Sequence, residues 1–195
     1  GDLKRQGTVR FRGKTIQIRH PAQGKRAGFG FLPSNRKENA IIKDLSVQNN
    51  ITIVTLKDCI KGPYLSKKKE RQVAASFRDK LNIRMGKLSD KITSLSGGNQ
   101  QKVVLSKWLN AHPEIMILSN PTQGVDVGAK NEIYALIMDM AKDGVGIIIT
   151  SGEAQEILKL CDRTLVMYHG ELRGELSRSE MTEEAIMILS TGGTI

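Results

Sequence analysis

Between Leu95 and Lys102 the chain reads Leu-Ser-Gly-Gly-Asn-Gln-Gln-Lys, and the apolar run Val103, Val104, Leu105, Trp108 and Leu109 follows at helical spacing. This pattern predicts a helix that starts at the two glycines. A serine and two glycines in that place put a hydroxyl and several unpaired backbone N–H groups at a helix N-terminus, where the macrodipole favours negative charge. Such an end can hold an anion. Ser-Gly-Gly alone reads more simply as an ordinary serine cap on a core helix, so the weight falls on what comes next. Glu114-Ile115-Met116-Ile117-Leu118 has the length and apolar continuity of a buried strand. It runs directly into the polar stretch Ser119-Asn120-Pro121-Thr122-Gln123-Gly124-Val125-Asp126.

The 195 residues, 39% of them hydrophobic, allow one ordinary globular domain with a real core. A net charge of +10 raises the question of nucleic acid or an anionic membrane surface. The basic residues are spread along the chain rather than clustered, which is the pattern of solvated faces. Cys59 and Cys161 stand far apart without metal spacing and read as free thiols in a reducing compartment. No apolar run approaches the roughly 18–20 residues of a membrane helix, and no signal peptide is visible.

Residues 8–18 alternate as a β-hairpin, with Val9 and Phe11 on one arm and Ile16 and Ile18 on the other, joined by Arg12-Gly13-Lys14. Gly13-Lys14-Thr15 resembles a fragment of a phosphate-binding P-loop, but that loop needs a glycine where Thr8 stands, and no G-x-x-x-x-G-K-S/T occurs in the chain. Ala27 to Leu32 reads as a short strand closed by Pro33, followed by a polar loop over 34–39. Ser46 and Ser66 read as caps of helices, the second running from Lys67 to about Leu81. Gly128 to about Lys142 is a third helix, with Ile133, Leu136, Ile137 and Met140 on one face.

The run 145–150 reads as a strand buried on both faces of a parallel sheet. Residues 153–160 form a short helix, and Arg163 to Tyr168 a further strand of the same βαβ succession. Met181 to Leu189 forms a last helix, and Thr191 to Thr194 a frayed tail.

Taken together, Leu95–Lys102 and the strand with its sequel to Asp126 resemble the signature and the Walker B to D-loop segments of an ABC-type ATPase. The form LSGGNQQK resembles that of sugar importers. The resemblance covers nearly the whole chain and implies an α/β fold: an incomplete P-loop NTPase (ABC ATPase) core with a parallel sheet, an N-terminal β-hairpin and a helical signature subdomain. It divides residues 1–195 into a hairpin and Q-loop region (1–43), a helical subdomain (44–96), a core with signature helix, Walker-B-like strand and D-loop (97–175), and a C-terminal helix and tail (176–195). The strand, P-loop and helix that the family places ahead of this region have no counterpart in the chain.

Site residues follow from the same resemblance. An NTPase of this kind holds Mg²⁺ on an aspartate at the end of the Walker B strand and orients water with a neighbouring carboxylate. Ser119 and Asn120 occupy those two places, and Ser151 or Gly152 the switch position, so no catalytic set is intact. His20, His112 and His169 all fall outside and read as surface or turn residues. Where the family has a P-E-D-R loop, Ser34 and Asn35 replace the acids in the Q-loop region.

ABC domains pair head to tail, and Ser96, Gly97, Gly98, Asn99 and Gln100, with the D-loop Asp126, are expected to face a nucleotide bound by a partner. ATP and Mg²⁺ are expected for the whole transporter and none for this chain alone. The implied partners are another ABC nucleotide-binding domain, membrane permease subunits and, indirectly, a sugar-binding protein, with no nucleic acid. The implied location is cytoplasmic, peripheral on the inner face of the cell membrane. A nucleoside-importer ATPase domain, a stand-alone non-catalytic scaffold and a DNA-associated ABC head stay open as alternatives.

Overall fold

The computed structural model describes residues 7–194; the first six residues of the 1–43 segment and Ile195 lie outside the described residues. The hairpin forms from β1 (Val9–Phe11) and β2 (Lys14–Ile16), antiparallel across Arg12-Gly13. Both turn residues have positive φ, 51° and 72°, which matches the twist of a tight hairpin. A short helix, α1 (Pro21–Arg26), follows; it buries no residue, so no apolar periodicity announces it. Next come β3 (Phe29–Leu32) and α2 (Arg36–Asn39), so the segment read as a polar loop carries one helical turn.

The helical layer is α3 (Val47–Thr52), continued by a 3-10 segment (Ile53–Cys59), the two-residue strands β4 (Ile60–Lys61) and β5 (Tyr64–Leu65), and α4 (Lys67–Lys80). Both expected caps are present. The Ser46 side chain accepts from the Asn49 N–H, and that of Ser66 from the Lys69 N–H. After a 3-10 turn (Ile92–Ser94) the chain enters α5 (Gly97–Leu109), then β6 (Ile115–Ser119), α6 (Val127–Lys142), β7 (Gly146–Thr150) and α7 (Ala154–Leu160).

β3, β6 and β7 make a parallel sheet in the order β3-β6-β7, with Phe31 beside Ile117 and Ile117 beside Ile148. One face, carrying Leu32, Met116 and Leu118, is buried with α5 and α6 in the main core. On the opposite face Phe29 packs against Phe11 of the hairpin, whereas Phe31 is 49% and Ile148 51% exposed. The expectation of burial on both faces for 145–150 is therefore corrected. Among the described residues β7 is an edge strand of this sheet, and Ile148 on its outer face is left without a covering helix. α5 is the central helix, touching α3, β3 and α6, with Val103, Val104 and Leu105 essentially inaccessible.

A second correction concerns Arg163 to Tyr168. This strand, β8 (Arg163–Tyr168), does not join the parallel sheet but pairs antiparallel with β9 (Glu171–Ser177) through the turn at His169-Gly170. The two-residue turn leaves no length for a parallel crossover, so the chain folds back on itself. Helix α8 (Glu183–Ser190) covers this ribbon in a smaller core of Ile157, Val166, Leu176, Met181 and Leu189. The tail read as frayed is held: Gly193 donates to the Ile188 carbonyl at 2.9 Å, and Arg173 to that of Gly192 at 3.0 Å. Cys59 and Cys161 are free. Among the described residues no helix is long and apolar enough to cross a membrane.

Candidate functional site

Parallel strands present their following loops at one edge of the sheet, the usual place for a ligand in an α/β fold. Three of the expected positions gather there: Ser34 and Asn35 after β3, Ser119 and Asn120 at the end of β6, Ser151 and Gly152 after β7. The last two groups are bonded to one another. Ser119 pairs with Thr150 across the ladder, and the Thr150 hydroxyl donates to the Ser119 oxygen at 3.1 Å. Asn120 donates its N–H to the Thr150 carbonyl at 2.7 Å and accepts the Gly152 N–H on its Oδ1 at 3.2 Å. Asn120 also stands at φ 44°, a left-handed conformation that asparagine tolerates better than most residues.

Metal chemistry is poorly served here. The nearby carboxylate, Glu153, is engaged at 2.7 Å by Lys130, and the hydrogen bond between them raises the Lys130 pKa. Among the described residues no group of three or more His, Cys, Asp or Glu is placed to hold a metal. A hard divalent cation needs charged oxygen ligands, so Ser119 and Asn120 do not fit Mg²⁺. Asn35, in the loop after β3, donates to Glu38 at 2.6 Å.

A second constellation lies at the start of α5. Ser96 is the N-cap, but its hydroxyl accepts no backbone N–H; instead it accepts from the Asn99 side-chain amide at 2.9 Å. Ser96 thus holds the N-cap position without acting as an ordinary side-chain cap. No side chain caps the first N–H groups, and Ser96 itself is exposed. Asn99 is fixed from the other side, its Oδ1 accepting from the Arg84 N–H at 2.8 Å. Gln100 points inward, 7% exposed, its amide donating to the Leu95 carbonyl at 3.0 Å.

Beside this end lies the start of α6. Asp126 is its N-cap, accepting the Ala129 N–H on Oδ1 at 2.9 Å. Gly98 brings the two starts together: a Cβ on it would stand 2.5 Å from the Ala129 Cβ. Two helix N-termini of thirteen and sixteen residues therefore sit side by side. Val127, next to Asp126, is 78% exposed. The α5 end combines the exposed Ser96 hydroxyl, held by Asn99, with first-turn N–H groups that the serine does not cap, and this positive dipole end suits a phosphate, while the α6 end is taken by the Asp126 carboxylate.

One residue here escaped the sequence reading. Arg36 is buried, and its guanidinium donates to the carbonyls of Gln123 at 2.6 Å and Gly124 at 2.9 Å. The signal was present, since Pro33 and Arg36 keep the first and last positions of the P-E-D-R pattern while the acids between them are lost.

A family model described as ABC transporter matches residues 1–123. A ribose import ATP-binding protein of Lactococcus lactis subsp. cremoris is 42% identical over 98% of this chain and 39% of its own length. A xylose import ATP-binding protein of Geobacillus kaustophilus is 42% identical over 97% of this chain and 38% of its own. The chain thus spans well under half of these relatives. Among solved structures, a nucleotide-free ATP-binding cassette from an ABC transporter is similar with a TM-score of 0.75 at 19% identity, over 94% of this chain and 76% of that one. A dimeric cassette in a post-hydrolysis state bound to ADP and Pi is similar with a TM-score of 0.69 at 20% identity, over 89% and 74%. At such identities the solved structures speak for the fold alone, an ABC ATPase core. With its family match over residues 1–123 and this shared fold, the chain belongs to the ABC transporter family.

Proposed function

We propose that the chain is the nucleotide-binding-domain portion of a carbohydrate importer, and the degenerate half of it: the half that supplies signature and D-loop to a nucleotide held by a second ABC domain. The names of the ribose and xylose import relatives support the sugar assignment. The observation that carries the asymmetry is the contrast between two ends of the same fold. The ends of β6 and β7 offer Ser119, Asn120, Ser151 and Gly152, with Glu153 spent on Lys130. The start of α5 offers the exposed Ser96 and first-turn N–H groups that its side chain does not cap, beside the Asp126-capped start of α6.

In this reading Ser96 and the backbone of Gly97 and Gly98 act as preorganised donors to a terminal phosphate, stabilising the charge that develops on phosphoryl transfer. Asn99 holds the serine hydroxyl in place, Gln100 anchors the helix start from within, and Asp126 orders the D-loop. Ser34 and Asn35 lie in the loop that meets the permease, and residues 44–96 form the helical subdomain between hairpin region and core. The nucleotide and its Mg²⁺ belong to the whole transporter; this chain alone holds neither. The assembly sits on the cytoplasmic face of the membrane and takes its cargo from a sugar-binding protein.

Copurification tests the assignment. The tagged protein, expressed with an intact ABC domain and permease subunits, is expected to come away with both. Recovery alone, or on DNA with binding that falls steeply with salt, contradicts the reading.

A further inference from the structure

We infer that Arg36 is a positioning residue, whose guanidinium clamps the D-loop turn to the first residue of the signature helix and so fixes where Ser96 and the neighbouring N–H groups point. The inference rests on the in-trans role proposed above. Its geometry is independent of that role.

Three remote pieces of chain meet at this one side chain. Arg36 lies in α2, 7% exposed, and reaches across 87 and 88 residues of sequence to the carbonyls of Gln123 and Gly124. Gly124 stands at φ 65°, and its carbonyl faces the guanidinium. Nη2 also lies against Gly97, where a Cβ would stand 2.6 Å from it and 2.9 Å from the Gly124 oxygen. Glycine at 97 therefore makes room for the clamp. One residue on, Gly98 meets Ala129, so the start of α5 is fixed against the D-loop turn on one side and against α6 on the other.

Stability alone does not account for this arrangement. Arg36 forms no ion pair among the described residues, and its Nε has no hydrogen-bond partner. Burying a guanidinium in that way is costly, and burial lowers its pKa. A cation beside a helix N-terminus also opposes the macrodipole, so it weakens α5 as a helix. What the placement provides is a rigid fork with two fixed directions and a positive field at the end where an anion would dock. Lysine keeps the charge but is a single point donor that cannot hold two carbonyls in one plane.

The test uses the assembled importer and the chain itself. For Arg36→Lys, kcat for ATP hydrolysis is expected to fall by about 100-fold, the scale of a small misplacement remote from the chemistry, with KM for MgATP unchanged. The double variant Arg36→Lys with Ser96→Ala is expected to be no slower than the slower single variant, because both act at one point. Multiplying effects, or unchanged kcat in Arg36→Lys, overturns the inference.

Amide hydrogen exchange on the chain gives a second readout, and Gly97→Ala a second variant should Arg36→Lys fail to fold. Exchange is expected to rise at residues 97–99 and 124–127 and to stay unchanged in β8 and β9. A rise everywhere, or at neither segment, also overturns the clamp. A silent Ser96→Ala sinks the in-trans reading instead, and the exchange measurement then still decides the clamp.

Discussion

Gly98 of α5 and Ala129 of α6 approach so closely that a Cβ on the glycine would overlap that of the alanine, at 2.5 Å. Read from sequence alone, a glycine in the signature is there to let a phosphate approach. In the fold it has a second task, bringing the two helix starts together. Gly98→Ala is therefore expected to destabilise the protein by about 1–3 kcal/mol, the usual cost of overpacking. Urea unfolding checks this, and Ala129→Gly in the same chain should recover part of the loss. An unchanged midpoint for Gly98→Ala would show that the helices have room to part.

Glu70 makes a pH prediction. Its side chain is fully buried in α4, and that burial works against ionisation. Hydrogen bonds from Thr52 at 3.0 Å and Asn49 at 2.7 Å, with Lys67 nearby, outweigh it, so the carboxyl titrates below its ordinary value. A depressed folded-state pKa adds stability that is fully present above the unfolded value of about 4.3 and disappears as pH falls through the folded pKa. Glu70→Gln is expected to cost about 1–3 kcal/mol at neutral pH by leaving buried donors poorly matched. Thermal melts should show wild type and variant converging as the pH drops below about 4. Parallel curves down to low pH would contradict the account.

Much of the architecture was legible. α4, α5, α6 and α8 declared themselves through apolar spacing and through Ser66, the glycine pair and Gly128, and β6 through its unbroken apolar run. α1 was not legible because it buries nothing, with Gly24 in its middle. β9 reads Glu-Leu-Arg-Gly-Glu-Leu-Ser and buries one residue, Leu176, so its pattern resembles a polar loop. Without β9, β8 had no visible partner and was assigned to the parallel sheet. Ile148 read as buried because an apolar run does not say which of its faces a helix will cover. Arg36 was missed for a different reason: the retained Pro33 and Arg36 of the P-E-D-R pattern mark the residue, but its partners lie more than eighty residues away, so nothing local says what it holds.

The serine and asparagine at the end of β6 lead to a prediction about the chain by itself. It contains no G-x-x-x-x-G-K-S/T and offers no free carboxylate at that end. Calorimetry is expected to detect no micromolar MgATP binding. Ser119→Asp combined with Asn120→Glu should not create an ATPase, because the phosphates still lack a cradle of backbone N–H groups. Turnover by either chain that is lost on changing one of its own residues would contradict this.

The central claim, that this chain serves a nucleotide held elsewhere, is tested most directly by comparing two substitutions in the assembled importer. Ser96→Ala removes one preorganised donor and is expected to slow hydrolysis by roughly 100- to 1,000-fold, the measured scale for such a loss. Asn120→Gly removes the side chain that directly follows β6 while suiting the left-handed backbone there, and is expected to leave the rate near that of the unmodified complex. Hydrolysis assays on the two complexes decide. A silent Ser96→Ala with a crippled Asn120→Gly would place the working site in this chain and contradict the account.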